Sequence, residues 1–265
     1  MLRLIANRRI AMLAMAAGAL LAGLSVVAAP AQAQDTLAQI KSKGVMVVGN
    51  SGSYPPFEMM IDGKLNGFDV DLAEELAKRM GVKVEWQVVD FKGIIAALNS
   101  KRVDVLITAM TWTPERGKQI LFSDPYYNAG IGAAVLKESG IAKPEDLKGK
   151  TIGLQVGSSG ERYAKTDLAQ YVTEMKLYDD FVMAVNDLKN RRVDAVINPL
   201  PTLRHNTKND AGIVTTAVWD ERNVGINARK DDTALMAEIN THLAAMKADG
   251  FLAANDKKWF GGSGS

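Results

Sequence analysis

The sequence predicts an α/β fold made of two related lobes. Two observations support this prediction: hydrophobic patterns typical of strands and of helices alternate along the chain, and two stretches of its first half recur in the second. Strands that alternate with helices generally form mostly parallel sheets with helices packed on their faces. We therefore expect mostly parallel sheets covered by helices.

The elements of the first lobe follow from hydrophobic periodicity. Apolar residues at helical spacing predict an amphipathic helix over residues 69–80, with Asp69 as its N-cap and Gly81 as its end. Alternating apolar and polar residues predict a half-buried strand over residues 82–88. The other elements predicted in this part of the chain are strands at residues 45–48 and 103–107 and a helix at residues 91–99.

Two pairs of similar segments relate the two halves of the chain. Residues 98–107 and 188–197 are identical at five of ten positions, and residues 48–52 resemble residues 156–160. Short strand signals of this kind also recur by chance. Because the two matches occur in the same order, they favour two related lobes with equivalent strands and turns.

Polar side chains follow the equivalent strands directly. Ser51 and Ser159 follow one pair of strands, and Thr108 and Asn198 follow the other. In open α/β sheets, ligands bind beyond the carboxyl ends of the strands. We therefore expect all four residues to face one cleft between the lobes, which is a usual place for a small-molecule site.

The first 33 residues differ in composition from the rest of the chain. Three arginines precede an almost wholly apolar stretch at residues 10–29, and Ala31-Gln32-Ala33 forms a small-x-small cleavage signal. This order is typical of a secretory signal peptide over residues 1–33. The alternative is a membrane anchor, since the apolar stretch is nearly long enough to span a bilayer. The chain contains no cysteine, which excludes disulfides, thiolate metal sites and a lipid attached to cysteine.

The charge balance gives no indication of a nucleic-acid-binding surface. The full chain has 32 basic and 30 acidic residues, and its first 33 residues hold three arginines and no acid. The remainder has 29 basic and 30 acidic residues, so it is not polybasic. With two histidines we expect no metal site, and no motif indicates a cofactor. Residues 261–265 form a Gly/Ser tail that we expect to be disordered.

The densest chemical signal surrounds Arg116. Residues 108–116 lead from a strand end through hydroxyl-bearing residues into a helix that starts at Pro114. A guanidinium in the first helical turn, beside hydroxyls and free backbone amides, suits a bidentate clamp for a carboxylate. A second strand end that leads into a helix start, at Ser158 and Ser159, repeats this arrangement. Two such helix starts that face each other are suited to hold one carboxylate from both lobes.

Six motifs carry a resemblance that runs across nearly the whole chain after residue 33. They are Tyr-Pro-Pro-Phe at 54–57, Gly-Phe-Asp-Val-Asp-Leu at 67–72, the stretch 111–116, Phe-Ser-Asp-Pro-Tyr-Tyr at 122–127, Asp-Leu-Lys-Gly-Lys-Thr-Ile-Gly at 146–153 and Arg-Val-Asp-Ala-Val at 192–196. In this order they resemble the polar amino-acid-binding proteins of ABC importers, family 3 of the bacterial solute-binding proteins. The resemblance implies a two-lobed type II periplasmic-binding-protein fold with two chain crossings at a hinge.

The same resemblance implies domain boundaries, a function and partners. Lobe I would comprise residues 34–131 and 224–260, and lobe II residues 132–223, with the crossings near residues 130–135 and 223–227. The protein would be a periplasmic monomer that closes on a small carboxylate-bearing solute, an amino acid or a related organic acid, without being an enzyme. Its protein partner would be an inner-membrane ABC permease, and no nucleic acid is expected as a partner.

The resemblance also assigns ligand contacts in lobe I. Arg116 matches the arginine that binds the ligand carboxylate in this family. Thr111, together with the backbone of Thr108 and Ala109, matches the polar contacts of the first lobe.

Further contacts come from lobe II and from aromatic residues. Ser158 and Ser159 match the carboxylate donors of the second lobe. Tyr54 and Phe91 match the positions whose rings sandwich the body of the ligand. For either aromatic residue, ordinary core packing is an equally good explanation.

One position departs from the family pattern. Where the family has an aspartate that binds the α-ammonium of its ligand, this chain has Asn198, which carries no charge. Either the solute lacks an ammonium, as a hydroxy or keto acid does, or another acid such as Glu58 or Glu161 supplies the charge. Ser51 stands where some binders of basic amino acids carry an aspartate, which argues against an arginine, lysine or histidine ligand.

Two other functions use the same fold. The implied fold resembles that of periplasmic cyclohexadienyl dehydratases, but their chemistry needs a positioned general acid, and the amide of Asn198 does not titrate. A periplasmic sensory or accessory protein, which binds a ligand or partner without feeding a transporter, is the third class. The sequence identifies neither the solute nor its affinity nor the partner permease.

Overall fold

A computed structural model describes residues 35–261 of the chain. The predicted signal peptide at residues 1–33 lies outside the described residues, as does the predicted tail beyond residue 261. No helix within residues 35–261 combines the length and the apolar character that crossing a membrane requires.

Strands and helices alternate along the first half of the described chain, as predicted. The elements are α1 (Thr36–Lys43), β1 (Val45–Asn50), β2 (Ser53–Tyr54), β3 (Glu58–Ile61), β4 (Lys64–Asn66), α2 (Phe68–Met80), β5 (Lys83–Val88), α3 (Ile94–Asn99), β6 (Val105–Leu106), α4 (Pro114–Gln119), β7 (Ile120–Phe122) and β8 (Tyr127–Asn128). A 3₁₀ turn, Phe91–Gly93, precedes α3, so the helix predicted over residues 91–99 is α-helical only in its second part.

The second half continues the alternation. Its elements are β9 (Ile131–Leu136), β10 (Thr151–Gln155), α5 (Ser159–Tyr163), β11 (Glu174–Tyr178), α6 (Phe181–Lys189), β12 (Ala195–Pro199), α7 (Leu200–Thr207), β13 (Ile213–Thr215), β14 (Asn223–Val224), β15 (Asn227–Arg229), α8 (Thr233–Ala248) and α9 (Phe251–Phe260). Short 3₁₀ turns lie at Lys137–Ser139 and Pro144–Leu147, and a π-helical turn at Ala164–Leu168 follows α5.

The strands form two five-stranded sheets with the same topology. The first sheet has the order β5-β1-β6-β15-β7 and the second the order β11-β10-β12-β9-β13. The repeated segments end in β6 and β12, which occupy equivalent places beside β1 and β10. The internal similarity of the sequence therefore corresponds to equivalent positions in the two sheets.

Each sheet is mixed, but four of its five strands run in the same direction, which agrees with the prediction of mostly parallel strands. In the first sheet β1 is parallel to β5 and β6, whereas β15 is antiparallel to β6 and β7. In the second sheet β10 is parallel to β11 and β12, whereas β9 is antiparallel to β12 and β13. A crossover helix constrains a strand to be parallel to the previous one. Strands β9 and β15 instead enter their sheets directly from the other sheet, so this constraint does not apply to them.

The chain passes between the two sheets through a pair of short strands. β8 and β14 are antiparallel to each other, with Asn223 opposite Asn128 and Val224 opposite Tyr127. Next to them, Ile131 forms an isolated bridge with Asp220. The two chain passages are thus hydrogen-bonded side by side, as a double-stranded hinge requires.

The start of α2 differs from the predicted one. Its N-cap is Gly67, and Asp69 lies fully buried within the first turn instead of capping it. The carboxylate of Asp69 accepts hydrogen bonds from the Ala109 amide (2.6 Å) and from the Tyr126 hydroxyl (2.9 Å). These tertiary partners fix Asp69 inside the helix. The predicted helix end is confirmed, since Gly81 adopts a left-handed φ of 73°.

Hydrophobic packing connects the two sheets at one place near the carboxyl ends of their strands. Tyr54, on β2, stacks on Phe57 with ring centroids 6.1 Å apart. Tyr54 also packs edge-to-face against Phe181 at the start of α6, with ring centroids 5.5 Å apart. Because Tyr54 and Phe181 belong to elements beside different sheets, their packing brings the two lobes together next to the site described below.

Candidate functional site

Side chains predicted to face one cleft do lie close together. Thr108 follows β6, Ser158 and Ser159 follow β10, and Asn198 is the fourth residue of β12. Direct hydrogen bonds connect residues beside the first sheet with residues beside the second. The carboxyl ends of the parallel strands from both lobes therefore meet at one place.

Arg116 is positioned by the start of α4. Pro114 occupies the first turn, and the Thr113 hydroxyl caps the helix by accepting a hydrogen bond from the Arg116 amide (3.3 Å). The guanidinium Nη1 donates to the carbonyl oxygen (2.7 Å) and to the hydroxyl (3.1 Å) of Thr111. Nη2 donates to the Gly157 carbonyl oxygen beside the second sheet, at 2.8 Å. The side chain thus bridges the two lobes.

The charge of Arg116 has no counter-charge among the described residues. The residue is 8% exposed, and no acidic side chain of residues 35–261 forms an ion pair with it. Burial lowers the pKa of Arg116 to about 10, still far above neutral pH. The Phe91 ring lies 5.5 Å from its guanidinium carbon and covers one side. An arginine that is buried with neutral partners is suited to bind an anion.

The second helix start, at α5, mirrors the first. The Ser158 hydroxyl caps α5 by accepting a hydrogen bond from the Glu161 amide (3.0 Å), and Ser159 is buried as its first residue. The Glu161 carboxylate accepts from the Gly157 amide (2.5 Å) and pairs with Lys165 (2.6 Å). Glu161 therefore has both a backbone donor and a cation of its own, and its charge is compensated locally.

A glycine in α5 permits close packing next to the site. A Cβ atom at Gly160 would collide with the carbonyl oxygen of Ile197 and would lie 3.5 Å from the Cα of Asn198. Since the obstructing atom belongs to the backbone of β12, it has no free rotation by which to move away. A glycine at this position lets the helix start approach the strand that carries Asn198.

Tyr54 and Asn198 form a second contact between the lobes. The Asn198 side-chain amide nitrogen donates to the Tyr54 hydroxyl oxygen at 2.8 Å, and both residues are buried. The Oδ1 atom of Asn198 has no hydrogen-bond partner within the described part of the chain. A buried acceptor without a donor is unfavourable, so this atom is suited to accept a hydrogen bond from a bound molecule.

Thr108 and Ala109 form a strained turn that two carboxyl groups hold. The Thr108 hydroxyl donates to the Glu58 carboxylate at 2.5 Å, and the Ala109 amide donates to that of Asp69. Ala109 has a φ of 47°, in the left-handed region that residues other than glycine rarely adopt. Burial raises the pKa of Glu58 to about 7, and burial together with repulsion from Glu58 raises the pKa of Asp69.

A cavity of about 890 Å³ adjoins this site. Its walls include Phe91, Arg116 and Met110 from the first lobe, and Gly157 and Ser158 from the second. Because both lobes line it and the buried guanidinium borders it, the cavity is the place where a small molecule reaches Arg116.

Two ion pairs join the lobes on the surface around the cavity. Glu115 pairs with Arg162 at 2.8 Å, and Lys92 pairs with Asp179 at 2.7 Å. In each pair one residue lies beside the first sheet and the other beside the second. These contacts exist only while the lobes are close together.

Of the nine predicted residues, Arg116, Phe91 and Ser158 line the cavity, and the structure places eight of the nine in three separate contact groups and one helix cap. Arg116, Thr111 and Phe91 form one group, and Tyr54 with Asn198 forms another. The buried carboxyl pair of Glu58 and Asp69 joins Thr108 and Ala109, and Ser158 caps the opposing helix. Ser159 is the ninth; it is buried beside Ser158, and no hydrogen bond of its side chain is recorded.

Sequence reasoning missed three parts of the site. Gly157 contributes its carbonyl oxygen to Arg116, and Phe181 packs on Tyr54. Asp69 holds the turn at Ala109, although its place at a helix start suggested only a cap. A backbone oxygen gives no signal in a sequence, and a core aromatic has the same pattern whether or not it borders a site. Within residues 35–261, no cluster of three histidine, cysteine or acidic side chains is arranged to hold a metal ion.

Comparison with known proteins finds relatives over most of the chain. The family model of the bacterial extracellular solute-binding proteins, family 3, matches residues 46–262. The chain is 36% identical over 258 residues to the L-cystine-binding protein TcyJ of Escherichia coli (strain K12), which covers 96% of each protein.

Solved structures agree with this relationship. An ancestral arginine-binding protein bound to arginine is 41% identical, with a TM-score of 0.78 over 82% of this chain and 98% of that one. The ancestral amino acid-binding protein AncCDT-1, a precursor of cyclohexadienyl dehydratase, is 33% identical, with a TM-score of 0.80 over 85% of this chain and 99% of that one. The predicted two-lobed type II periplasmic-binding-protein fold is confirmed.

Proposed function

The chain belongs to family 3 of the bacterial extracellular solute-binding proteins, and we propose that it binds an amino acid by clamping its carboxylate between two lobes that close about a hinge. It is a solute-binding protein of an ABC importer, as the sequence predicted. The class of solute, the residues that bind it and the movement of the lobes are argued below.

The burial of Arg116 without a counter-charge is the observation that carries this proposal. Ion pairs normally compensate buried charges, because an uncompensated charge inside a protein is unfavourable. Arg116 instead meets the neutral oxygens of Thr111 and Gly157. A carboxylate from the solute supplies the missing negative charge and replaces the Gly157 carbonyl oxygen as the partner of Nη2.

Other donors around Arg116 complete the carboxylate site. The Thr111 hydroxyl is within reach of the same guanidinium, and Ser158 and Ser159 stand at the start of the opposing helix. Phe91 covers the guanidinium and borders the cavity, where the body of the solute lies. Carboxylates are favoured at such positions because the first backbone amides of a helix point towards them.

The other end of the solute faces acceptor atoms. Thr108, the turn at Ala109, Tyr54 and Asn198 lie on this side, and their hydrogen bonds connect them to both lobes. Tyr54 contributes both to the core and to the contact between the lobes. Core packing and a place beside the solute are therefore compatible roles for this residue.

Closure involves lobe I at residues 34–131 and 224–260 and lobe II at residues 132–223. The paired strands β8 and β14 lie at the passage between them, so the hinge axis runs along this short ribbon. Solute binds first to the side chains of lobe I, and Ser158, Ser159 and Asn198 engage as lobe II closes. A ligand shifts such an equilibrium only by its preference for the closed form.

An amino acid is the class of solute that the relatives favour. TcyJ is named for L-cystine, and an ancestral structural relative is bound to arginine. A hydroxy or keto acid is the alternative, because Asn198 stands where the family has an aspartate. The atoms that decide between the two are considered in the next subsection.

Binding without chemical conversion fits the site better than catalysis does. The close relatives are binding proteins, and AncCDT-1, the precursor of a dehydratase, is itself described as an amino acid-binding protein. A dehydratase needs a general acid that reaches its substrate, and Asn198 does not titrate. We place the protein in the periplasm as a monomer whose partner is the permease of the importer.

Replacing Arg116 tests the proposal. Arg116→Gln removes the charge and keeps hydrogen-bond donors, so the affinity for L-cystine and L-arginine, measured by calorimetry, should fall by about two to four decades, as expected for a buried ion pair worth about 3–5 kcal/mol.

Arg162→Gln is the matched control. It removes a neighbouring arginine that also borders the cavity but already pairs with Glu115 on the surface, and it should change the affinity only a few-fold. Unchanged affinity of R116Q for a solute that the wild type binds would contradict the carboxylate assignment.

A further inference from the structure

Two carboxyl groups, Glu58 and Asp69, are buried beside the site without a cation. Both residues are 0% exposed, and no lysine, arginine or histidine of residues 35–261 forms an ion pair with either. Glu58 begins β3, opposite Tyr54 in the β2–β3 hairpin, and Asp69 lies in the first turn of α2. An uncompensated negative charge in this position is as unfavourable as the uncompensated positive charge of Arg116.

The two carboxyl groups differ in what they bind. Asp69 accepts hydrogen bonds from the Ala109 amide on one oxygen and from the Tyr126 hydroxyl on the other, and its carboxyl is also hydrogen-bonded to that of Glu58. Glu58 directs Oε1 to two hydroxyls, those of Ser51 (2.9 Å) and Thr108 (2.5 Å). Asp69 therefore serves the fold, whereas Glu58 acts on residues that follow β1 and β6 at the cleft.

These hydrogen bonds determine what the two hydroxyls offer a solute. A hydroxyl group has one proton to donate and two positions at which it accepts. Because Ser51 and Thr108 both donate their protons to Oε1 of Glu58, their oxygens face other partners only as acceptors. The buried Oδ1 of Asn198, which lacks a partner in the described chain, is an acceptor as well.

The site is consequently polarised from one end to the other. At Arg116 it presents donors and a positive charge, and at Ser51, Thr108 and Asn198 it presents acceptors backed by a buried negative charge. A solute with a carboxylate at one end and a donor group beside it matches both ends. An oxygen that only accepts, such as a keto oxygen, would meet acceptors alone.

We propose that Glu58, acting through the hydroxyls of Ser51 and Thr108, supplies the negative charge that recognises the α-ammonium group of the solute, in place of the aspartate that Asn198 replaces. This inference rests on the proposed function and refines it: the solutes are zwitterionic α-amino acids, and hydroxy and keto acids bind more weakly. The sequence left two acids open for this role, and Glu161 is unsuited to it, because its carboxylate already has Lys165 and the Gly157 amide. Glu58 is a positioning residue in this scheme, since it acts through the hydroxyls.

Paired probes test the role of Glu58. Calorimetry compares L-arginine with argininic acid, and L-cystine with the disulfide of 3-mercaptolactic acid; the second compound of each pair carries α-hydroxyl groups instead of α-ammonium groups. Glu58→Gln should weaken binding of the amino acids about tenfold or more and change binding of the hydroxy acids less than about threefold, because only the ammonium interacts with the charge. An equal loss for both members of a pair would overturn the inference.

Two further variants distinguish a failure of the role of Glu58 from a folding defect and from a failure of the proposed carboxylate site. Ser51→Ala removes one of the two hydroxyls through which Glu58 acts and keeps the carboxyl itself, so it should also weaken binding of the amino acids more than binding of the hydroxy acids; an equal loss for both classes overturns the role of Glu58. Arg116→Gln should weaken all four probes, and if it weakens none while the wild type binds them, the proposed carboxylate site itself is wrong. Thermal unfolding of each variant identifies any that fails to fold. The variants that do fold then test the role of Glu58.

The pH dependence of affinity provides a second readout. The groups that face Glu58 are Asp69, Tyr54 and Tyr126, and burial raises the pKa of Glu58 to about 7. Affinity for L-arginine should rise with pH across the neutral range, because burial raises the pKa of Glu58 and the carboxyl pair gains negative charge as it loses protons. The rise should be absent in E58Q, and a rise of the same size in that variant would contradict the inference.

Discussion

Arg116 and Glu58 bring opposite charges into the protein interior from separate parts of the chain. Arg116 stands at the start of α4 and Glu58 at the start of β3, and both are buried. Each interacts with neutral groups of the site: Arg116 with Thr111 and Gly157, Glu58 with hydroxyls. At the scale of single residues, our proposal is that a zwitterionic amino acid is recognised because it neutralises these two unpaired charges together.

Asn198 is the residue at which a charge change should increase affinity. Asn198→Asp restores the acid of the family pattern in a position whose Oδ1 lacks a partner in the described chain. A hydrogen bond to a charged group contributes about 1.5–3 kcal/mol, against about 1 kcal/mol for a neutral one, so L-arginine should bind about tenfold more tightly to N198D. Calorimetry measures the change.

Argininic acid is the control for this substitution, since it lacks the α-ammonium group and its affinity should not rise. Unaltered affinity of N198D for L-arginine would show that the α-ammonium group does not approach this position. Such a result would leave the carboxylate end of the site untouched, because Arg116 is tested separately.

The starts of α4 and α5 are the elements that form the carboxylate site. Thr113 caps the first and Ser158 the second, each by accepting a hydrogen bond from the amide three residues ahead. Both helices are short, at six and five residues, so tertiary packing and not helix propensity holds them in place. The arrangement of these two starts relative to each other depends on the close approach of α5 to β12.

Adding a single methyl group at Gly160 should lower the stability of the protein. In Gly160→Ala the new methyl group meets the carbonyl oxygen of Ile197. Overpacking of this kind costs about 1–3 kcal/mol, against a gain in helix propensity of up to about 1 kcal/mol. The free energy of unfolding, measured in urea, should decrease by about 1–2 kcal/mol.

Gly93→Ala serves as the control for this prediction. No atom lies within 4 Å of a Cβ built at Gly93, and its φ is −103°, which any residue adopts. Its free energy of unfolding should stay within about 0.5 kcal/mol of the wild type. If G160A were as stable as G93A, the close approach of α5 and β12 would not constrain this position.

At the scale of the whole molecule, function depends on the relation between the lobes. Residues of the two lobes meet at Arg116 with Gly157 and at Tyr54 with Asn198 in the interior. On the surface they meet through the ion pairs of Glu115 with Arg162 and of Lys92 with Asp179. Lys92, Glu115 and Arg162 also border the cavity, so these pairs should influence affinity through the closing equilibrium and through their own charges.

Charge reversal across the cleft should therefore weaken binding. Lys92→Glu places two negative charges at the contact with Asp179, which favours separation of the lobes. Affinity for L-arginine should fall a few-fold at low ionic strength and less at high salt, because salt screens exposed charges. Calorimetry at two salt concentrations measures the effect.

The double variant Lys92→Glu with Asp179→Lys restores opposite charges and should recover the affinity of the wild type. Lys64→Glu, an exposed change in β4 away from the second sheet, controls for net charge. Equal affinities of K92E and K64E would contradict a contribution of this pair to closure.

Local patterns in the sequence determined much of this protein before its structure was considered. Period-two and helical spacing gave the strands and helices, because burial of one face imposes that spacing on the chain itself. The capped helix start identified Arg116, and the motif series identified the family, since both depend on neighbouring residues. Asn198 was recognised as a departure from the family pattern, because that comparison also depends only on neighbouring residues in the sequence.

Only the tertiary structure decided the features that depend on residues far apart in the chain. One strand of each sheet, β9 or β15, runs antiparallel to the others because the chain enters it from the other lobe. Asp69 is a buried support for Ala109, 40 residues away, and Glu161, unlike Glu58, has a cation of its own in Lys165. Burial and the presence or absence of a counter-charge are properties of packed surroundings, and a sequence states which charges exist but not which of them meet.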